Sequence, residues 1–588
     1  MNPRSLPRLL RTLRHLRPRQ ALAQLGHVLR GGVRPVELSG AAPALRVEAA
    51  AQPFLPAPAH ASFDGWRRFV LLGREHGFRD GVDWDFMDEG PLWAYHLHQF
   101  DYARSPSLSP QARWELMRDW IEHCGAGVGW HPHPISLRVL SWAKLLLTPG
   151  RLSLGAEDAE LLRGSMACQV ETLARNLELR LQGNHLFSNL LTVVFAGLLF
   201  EGRQADEWLR HEAAFRRELE EQILPDGSHI EGSPMYHGLL LENLLDLLNL
   251  MRALPERSPA PLLQAVEGCA GRMLGAHQVW THPDGEIALL SDSAFGIAHP
   301  PHWLAAYGAS LGVEVLEPSL PGVLSDAGVF RFESDDFALI ATASAPAPTY
   351  QPGHAHCDAL SFELSAGGQR VVTDTGVSEY IPGPLRDLCR ATRSHATLEL
   401  DGMEQSEIWA AHRVGGRARV GVHQVEANRR LEATCSAWAT PRTLHRRVFL
   451  LDDQGLELRD SIEGPARPVR FALPLEPGVR VTLERDSEAS RPPGSQRAWV
   501  ELPGDRRLRI DLPKGVSWRL ESRPYFPRFG ARIERSCLVG EAEEFREGRW
   551  YFSLERKRVS RSEPEGQGRP RSRSRGRSRV RGGLGRTA

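Results

Sequence analysis

The chain has 588 residues, of which 41% are apolar and 24% charged, and these proportions exclude wholesale disorder, collagen and a disulfide-rich miniprotein. Its 72 basic residues balance 72 acidic ones, so the charge gives no reason to propose a nucleic-acid partner. Apolar runs fall short of the roughly 18 residues of a membrane span, which argues against an integral membrane segment. Seven cysteines without CxxC spacing predict neither a disulfide framework nor a zinc knuckle.

The first 33 residues combine leucines at near-helical spacing with frequent arginines. The arginines interrupt every candidate apolar core of a secretory signal, so the sequence contains no recognisable signal peptide. Two interpretations are open: a basic amphipathic helix on an anionic membrane, or a helix packed on its own protein with its arginines in water. Residues 34–60, rich in Pro and Ala, predict a linker or an extended wrap.

The next segment, from about 63 to 320, has helical periodicity. Apolar residues recur at three- and four-residue spacing, with Gly or Pro turns between the periodic stretches. Repeated helices without intervening strands predict an α/α solenoid or toroid. The predicted helices are 111–123, 135–148, 157–178, 185–201, 206–223, 237–253 and 261–280.

Near residue 325 the period changes to short alternating or β-branched runs bounded by Gly, Asp-Asp or Pro turns, which predicts an antiparallel sandwich. The expected fold class is therefore α+β multidomain, with a helical toroid followed by a β-sandwich. A low-complexity Arg/Ser-rich tail follows and is expected to be disordered. The predicted divisions are a basic N-terminal helix and linker (1–62), the toroid (63–322), the sandwich (323–558) and the tail (559–588).

The densest set of titratable residues is GHAHCDALSFEL, residues 353–364. On a strand, His354, His356 and Asp358 would project from one face. Asp374 in VTDTG and His395 in RSHATLEL follow on what read as successive strands. Two histidines and an aspartate can close a zinc site, whereas hydrogen-bonded sandwich histidines are the alternative.

A second set lies in the helical half. Asn184 and His185 open a predicted helix, where Asn184 could be only its N-cap. Tyr236 begins another helix after the DGSHIEGSP loop, a position at which a tyrosine usually serves packing. Each of these signals is weak by itself.

Together, these segments resemble the heparinase II/III-like polysaccharide lyases, a family that includes alginate and heparan-type lyases. The resemblance covers about residues 80–460 and rests on PLWAYHLHQFDY, GWHPHPISLRVLSW, GNHLFSN and DGSHIEGSPMYH, and above all on GHAHCDALSFEL with VTDTG and RSHATLELDG. It implies an incomplete (α/α) toroid followed by antiparallel β-sandwich layers. It also implies β-elimination on a uronic-acid polysaccharide.

The resemblance implies residue roles as well. Asn184 and His185 match the pair that neutralises the uronate carboxylate, Tyr236 matches the proton-shuttling tyrosine, and His354 matches the histidine at the catalytic centre. Tyr380 is the expected second tyrosine, and Arg393 is expected to bind the substrate carboxylate. The residues that match the family's ligands of a structural zinc ion are His356, Asp374 and His395.

Two other functions compete with the lyase. A glycoside hydrolase needs two carboxylates across the scissile bond, and Asp226, Glu231, Glu242 and Asp292 form no recognisable pair in the sequence. A non-catalytic polysaccharide-binding or assembly factor would not need Asn184, Tyr236 and His354 together. By resemblance, we expect a bacterial cell-envelope or periplasmic location. The missing signal peptide makes the cytoplasm the alternative.

Overall fold

The computed structural model describes residues 5–38, 40–65, 67–485 and 496–556, so the predicted 559–588 tail lies outside the described residues. Helices dominate the first half of the chain. In chain order they are α1 (Ser5–Leu13), α2 (Pro18–Arg30), α3 (Pro91–Gln99), α4 (Pro110–His123), α5 (Pro132–Leu146), α6 (Ala156–Arg175), α7 (Gly183–Leu199), α8 (Arg203–Leu209), α9 (Glu212–Gln222), α10 (Pro234–Ala253), α11 (Ala260–Val279) and α12 (Pro301–Ser310).

The helical half is built around α7, which contacts α5, α6, α8, α9 and α10. Almost every residue of α7 is buried, because its sequence is apolar on all sides and a helix of that kind needs neighbours all round. The tryptophans of the α3–α5 region join the same hydrophobic core. They are Trp84, Trp93, Trp114, Trp120, Trp130 and Trp142.

One feature of this half differs from the prediction. A three-stranded antiparallel sheet precedes α3, where helices were expected from about residue 63. Its strands are β1 (Ala61–Phe63), β2 (Arg68–Leu71) and β3 (Arg74–Gly77). Strands of three or four residues are too short to show a convincing period of two, and their pairing depends on Phe69 and Leu71 being buried against the helical core.

The second half is mostly antiparallel sheet, as predicted, with one α-helix, α13 (Pro384–Arg390), in the described part. The strands are β4 (Val323–Leu324), β5 (Val329–Glu333), β6 (Phe337–Thr342), β7 (Phe362–Ala366), β8 (Gln369–Val372), β9 (Leu398–Leu400), β10 (Ile408–Trp409), β11 (Arg413–Val414), β12 (Arg419–Glu426), β13 (Arg430–Ser436), β14 (Leu444–Asp452), β15 (Gly455–Glu463), β16 (Arg467–Pro474), β17 (Val481–Arg485), β18 (Gln496–Glu501), β19 (Arg506–Leu512), β20 (Ser517–Tyr525), β21 (Ile533–Phe545) and β22 (Glu547–Arg556).

These strands form layers around one apolar core. The five-stranded sheet has the order β4-β5-β6-β7-β8, and the four-stranded sheet has the order β20-β21-β16-β9. The eight-stranded sheet has the order β12-β13-β14-β15-β22-β19-β18-β17. Side chains such as Phe362, Phe449, Phe471 and Phe552 from all three sheets belong to the same core, which is the expected sandwich arrangement.

The two halves meet through small apolar contacts. The end of α11 packs on the five-stranded sheet through Trp280, Val329 and Ile340. A second contact joins Met235 of α10 to Val377 and Phe529 of the sheet half. Within the described part of the chain, none of the helices is both long and apolar enough to cross a membrane. The boundaries at 62, 322 and 558 stay predictions.

Candidate active site

A cavity of about 530 Å³ opens between the helical and sheet halves. Five of the residues assigned from the sequence line it together. They are Asn184, His185, Tyr236, His354 and Tyr380. Two come from the start of α7, one from the start of α10 and two from loops of the sheet half, so the cavity exists only when both halves are in place.

Asn184 is held by a carboxylate of the neighbouring loop and is not the N-cap of α7. The N-cap residue is Gln182, which has a positive φ of 61°. The Asn184 backbone N–H donates to Glu231 Oε1 at 2.9 Å, and its side-chain Nδ2 donates to Glu231 Oε2 at 2.8 Å. The same Nδ2 lies 3.5 Å from His354 Nε2. Glu231 therefore fixes the amide beside the histidine.

Tyr236 lies flat against His354. Their ring centroids are 3.9 Å apart with an interplanar angle of 30°. Ser233 caps α10 by accepting the Tyr236 backbone N–H at 3.2 Å, which sets the direction of the first turn. The Tyr236 hydroxyl lies 3.2 Å from the Tyr380 hydroxyl. Burial raises the pKa of Tyr236 far above 10, so the phenol holds its proton at neutral pH.

The segment around His354 is a loop, which corrects the prediction of a strand with three residues on one face. Strand β7 begins only at Phe362, after Leu360 with a positive φ of 61°. His354 and His356 nevertheless meet at one group, the carboxylate of Asp292. His354 Nδ1 is 2.9 Å from Asp292 Oδ2, and His356 Nε2 is 2.8 Å from Asp292 Oδ1.

Asp358 does not join this contact, because its Oδ2 accepts the Ser291 N–H at 3.3 Å.

Asp292 is buried and carries a paired charge. Arg386 of α13 contacts both of its carboxylate oxygens, with Nη2 2.7 Å from Oδ2. Burial raises the pKa of Asp292, but Arg386 and the two histidines outweigh it and hold the pKa well below its ordinary range. Because an ionised carboxylate only accepts, His354 keeps its proton on Nδ1, and Nε2 faces Asn184 and Glu231.

His185 has its own carboxylate partner. Its Nδ1 is 3.1 Å from Glu178 Oε2, and its ring stacks on His133 with centroids 4.3 Å apart. Burial lowers the pKa of His185, but Glu178 outweighs this effect and the net pKa is raised. The partner shows the matching change, with the pKa of Glu178 lowered to about 2. His185 is therefore a candidate cation at the cavity wall.

Arg393 does not join these residues. It is exposed and lines a separate depression with Arg470, Arg523 and Arg535. Its backbone carbonyl accepts a hydrogen bond from Arg523 Nη1 at 2.6 Å. The arginine in contact with the His354 network is Arg386, which is already paired with Asp292.

The predicted metal ligands do converge. Potential ligand atoms of His356, Asp374 and His395 all lie within 4.8 Å of one another, and all three residues are buried. Among the described residues, His356 Nδ1 and His395 Nε2 make no hydrogen bond. Two orphaned imidazole nitrogens beside a carboxylate fit a zinc ion, whose usual ligands they are.

The route to this convergence differs from the expected one. Asp374 and His395 lie in connections beyond β8 and before β9, strands of two different sheets, not on successive strands of one sheet. A second group that could hold a metal comprises His133, Glu178 and His185, at the cavity wall.

The sequence analysis assigned no catalytic or binding role in the lyase to several residues around the cavity. Glu231 and Asp292 were considered only as hydrolase carboxylates, and Glu178, Arg386 and His412 were not assigned. Glu231 does lie in the DGSHIEGSPMYH segment that was singled out. The partners of His354 lie between 62 and 170 positions away in the chain, and no spacing pattern connects them.

Comparisons with known proteins identify the family. The family model "Heparinase II/III N-terminus" matches residues 114–297, and "Heparinase II/III-like, C-terminal" matches residues 318–550. The chain is 27% identical over 244 residues to a heparin-sulfate lyase of Pedobacter heparinus, a match covering 37% of this chain and 36% of the relative. It is 25% identical over 449 residues to FtsZ-localized protein C of Caulobacter vibrioides, covering 70% of this chain and 74% of that protein.

Solved structures show the same architecture. A crystal structure of a heparinase III superposes with a TM-score of 0.65 at 15% identity, covering 88% of each chain. A heparan sulfate lyase mutant from Pedobacter heparinus superposes with a TM-score of 0.57 at 19% identity, covering 84% of this chain and 81% of its own. At these identities the likeness concerns the fold. With both family models matched in order along its two halves, the chain belongs to the heparinase II/III-like family.

Proposed function

We propose that this protein is a lyase that cleaves a uronic-acid-containing polysaccharide by β-elimination. The observation that supports this most directly is the meeting of Asn184, Tyr236 and His354 in one cavity between the two halves. The reaction removes the weakly acidic proton α to the uronate carboxylate and expels the glycosidic oxygen from the adjacent carbon. It needs charge stabilisation at the carboxylate, a base and an acid.

In this proposal, Asn184 and His185 neutralise the substrate carboxylate. The Asn184 side-chain amide donates one N–H to Glu231, and this contact orients its second N–H for the substrate, so little reorganisation is needed when charge develops. His185, whose raised pKa favours the protonated form, offers a positive charge. Both groups would act more strongly on a substrate that fills the cavity and excludes water than they would in water.

His354 is the proposed base, and Tyr236 the proposed acid. Asp292 accepts the Nδ1–H of His354, so Nε2 is the ring nitrogen that would take the proton from the substrate. The raised pKa of Tyr236 makes it a poor base but keeps a proton available for the leaving oxygen. After each turnover His354 releases the accepted proton to solvent, and the Tyr380 hydroxyl, 3.2 Å from that of Tyr236, can relay a proton from solvent back to Tyr236. A substrate with both groups on one sugar face would instead use Tyr236 for both steps.

The zinc ligands have a supporting role. Zinc bound by His356, Asp374 and His395 would supply a rigid, positively charged anchor in the sheet half. His356 connects that anchor to the active site, because its Nε2 is hydrogen-bonded to the carboxylate that also orients His354.

The charges of the cavity favour a substrate with few or no sulfate groups. Among the described residues, Arg104 and Lys144 are the only Arg or Lys side chains that line the cavity. Arg104 is 3.2 Å from Asp101, and Lys144 is 3.3 Å from Glu242, so both charges are already neutralised. A densely sulfated chain would find no unpaired guanidinium or ammonium group there.

The decisive experiment incubates the pure protein with a panel of unsulfated and sulfated uronic-acid polymers. A lyase leaves an unsaturated uronide, which absorbs in the near ultraviolet. We expect this absorbance with an unsulfated polymer and at least roughly tenfold lower kcat/KM with a densely sulfated one, because each unmade charged contact is worth about one factor of ten or more. Better turnover of the sulfated polymer would refute the proposed substrate class but not the reaction.

A hydrolase on the same fold is less well supported. The carboxylates on either side of His354 are Glu231 and Asp292, and a hydrolase would need one of them to be a proton donor with a raised pKa. Burial does raise the pKa of Glu231, but His354 and the Asn184 donors outweigh it, and the net pKa is lowered. The pKa of Asp292 is lowered as well.

A non-catalytic binding or assembly factor is the second candidate. It is favoured by the match to FtsZ-localized protein C, whose name states a location and no reaction. Binding of a uronate polymer without any unsaturated product would decide for this function. The cell-envelope location stays a prediction, which fractionation of the producing cells would test.

A further inference from the structure

The two N-terminal helices expose an unusual number of leucines. Eight of the eighteen exposed large apolar side chains in the described part of the chain lie within the first 29 residues. On α1 they include Leu6, Leu10 and Leu13, which share one face of the helix, with exposed fractions of 53%, 59% and 45%. On α2 they include Leu22 and Leu29, with 71% and 77% exposed.

The polar sides of both helices hold them to the protein. Arg11 Nε is 2.8 Å from Glu407 Oε2 on the opposite face of α1, and Thr12 accepts a hydrogen bond from Trp409 Nε1 at 3.1 Å. Just before α2, the Arg17 guanidinium stacks 3.6 Å from the Tyr350 ring centroid and pairs with Glu221.

This arrangement reverses the usual one, in which an amphipathic surface helix turns its leucines inward. The helices do pack on the protein, as one of the two sequence-based interpretations predicted, but Arg11 and Arg17 provide the attachment and the leucines face solvent.

The same segment carries only positive formal charge. Residues 1–36 contain eight arginines and no Asp or Glu. Arg14 is exposed, and within the described part of the chain its side chain is hydrogen-bonded only to the neighbouring His15. Arg34 is exposed as well. An apolar face with a basic rim is the pattern of helices that lie in the plane of a lipid headgroup region.

We propose that the leucine face of α1 and α2 docks on an anionic lipid bilayer surface, with the leucines in the headgroup–acyl boundary and arginines such as Arg14 near lipid phosphates. The charge decides for lipid over a second copy of the chain. A symmetric self-contact would place the basic rim of one copy against the same rim of the other, which is unfavourable. Anionic headgroups complement both the charge and the apolar face.

Lipid docking at this face would affect chain segments that lie next to the cavity. Gln20 of α2, which is buried, donates from Nε2 to the Tyr350 carbonyl at 3.4 Å, and Arg17 Nη1 donates to Gln182 Oε1 at 3.2 Å. Tyr350 lies four residues before His354 and Gln182 lies two before Asn184. The lipid-bound helices would thus be attached to both loops of the active site.

The test measures co-sedimentation of the full chain with vesicles. One set contains phosphatidylcholine alone, and the other also contains phosphatidylglycerol. We expect binding to the anionic set, weaker binding at high salt and little binding to the neutral set. The triple variant L22E/L25E/L29E should lower partitioning of the protein onto anionic vesicles by roughly tenfold or more, because each substitution removes an apolar side chain that the bilayer would bury.

A matched control places the same charges on exposed leucines elsewhere. L161E/L316E/L520E changes leucines that are 38%, 40% and 39% exposed outside the N-terminal helices, and it should bind vesicles like the wild type. Thermal unfolding of both variants checks that they fold. Absent binding to anionic vesicles, equal binding to neutral ones, or equal losses in both triple variants would overturn the proposal. A concentration-dependent dimer that L22E/L25E/L29E abolishes would assign the face to a second copy.

Discussion

Replacement of Tyr236 by phenylalanine tests whether the hydroxyl acts in catalysis or the ring serves only packing. The ring stacks on His354, and phenylalanine keeps that contact. The hydroxyl contacts the Tyr380 hydroxyl at 3.2 Å, so its loss should cost about 1 kcal/mol of folding stability. If it donates the proton to the leaving oxygen, turnover should fall by about 10²–10⁴. That range corresponds to about 2.7–5.4 kcal/mol of activation free energy.

The assay records initial rates of unsaturated-product formation over a range of polymer concentrations, together with thermal unfolding. We expect kcat to fall with KM nearly unchanged, because a proton donor acts in the transition state more than in the bound ground state. Tyr102→Phe is the matched control. Its hydroxyl is also buried, donates to the Leu97 carbonyl at 2.6 Å and lies outside the cavity, so that variant should lose stability and keep its turnover.

Two results would refute this reasoning. Turnover of Tyr236→Phe within about threefold of the wild type would show that the hydroxyl transfers no rate-limiting proton. An equal loss of turnover in Tyr102→Phe would show that the effect comes through the fold.

Three further predictions concern the groups around the cavity. His395→Ala should lose bound zinc by elemental analysis and unfold at a lower temperature, whereas His445→Ala, which removes a buried histidine paired with Asp460, should keep its zinc; equal zinc contents would contradict the site. Because the pKa of His185 is raised, its protonated form and the stability of its ion pair are present at low pH and are lost as pH rises through that raised pKa. Activity should therefore fall on the alkaline side, and Glu178→Gln should move that fall to lower pH; an unmoved pH–rate profile would exclude the pair. Asp292→Asn should lower kcat and thermal stability together, because it removes the charge that orients His354, the proposed base, and leaves the buried Arg386 unpaired; an unchanged kcat would contradict this positioning role.

Much of the fold could be predicted from local patterns. The change from a helical period to alternating runs near residue 325 reflects which face of each segment must be buried, and that information is local. The short strands β1–β3 and the loop at 353–361 could not be predicted in this way. His354 and His356 alternate as they would on a strand, but their backbone runs through a loop whose contacts lie with Asp292 and α13.

For the candidate site, the sequence determined which residue types were present, and their resemblance to a family determined the expected roles of Asn184, Tyr236 and His354. Only the tertiary structure decided the partners of these residues. Glu231 holds Asn184 within the helical half across 47 residues, and Asp292 orients His354 of the sheet half across 62 residues. Such contacts depend on how distant segments pack together, which local patterns do not determine. The sequence also left open which face of the N-terminal helices contacts the protein, because periodicity identifies an apolar face but not what covers it. The partners Glu407 and Glu221, far along the chain, turned the arginines toward the protein and the leucines toward solvent.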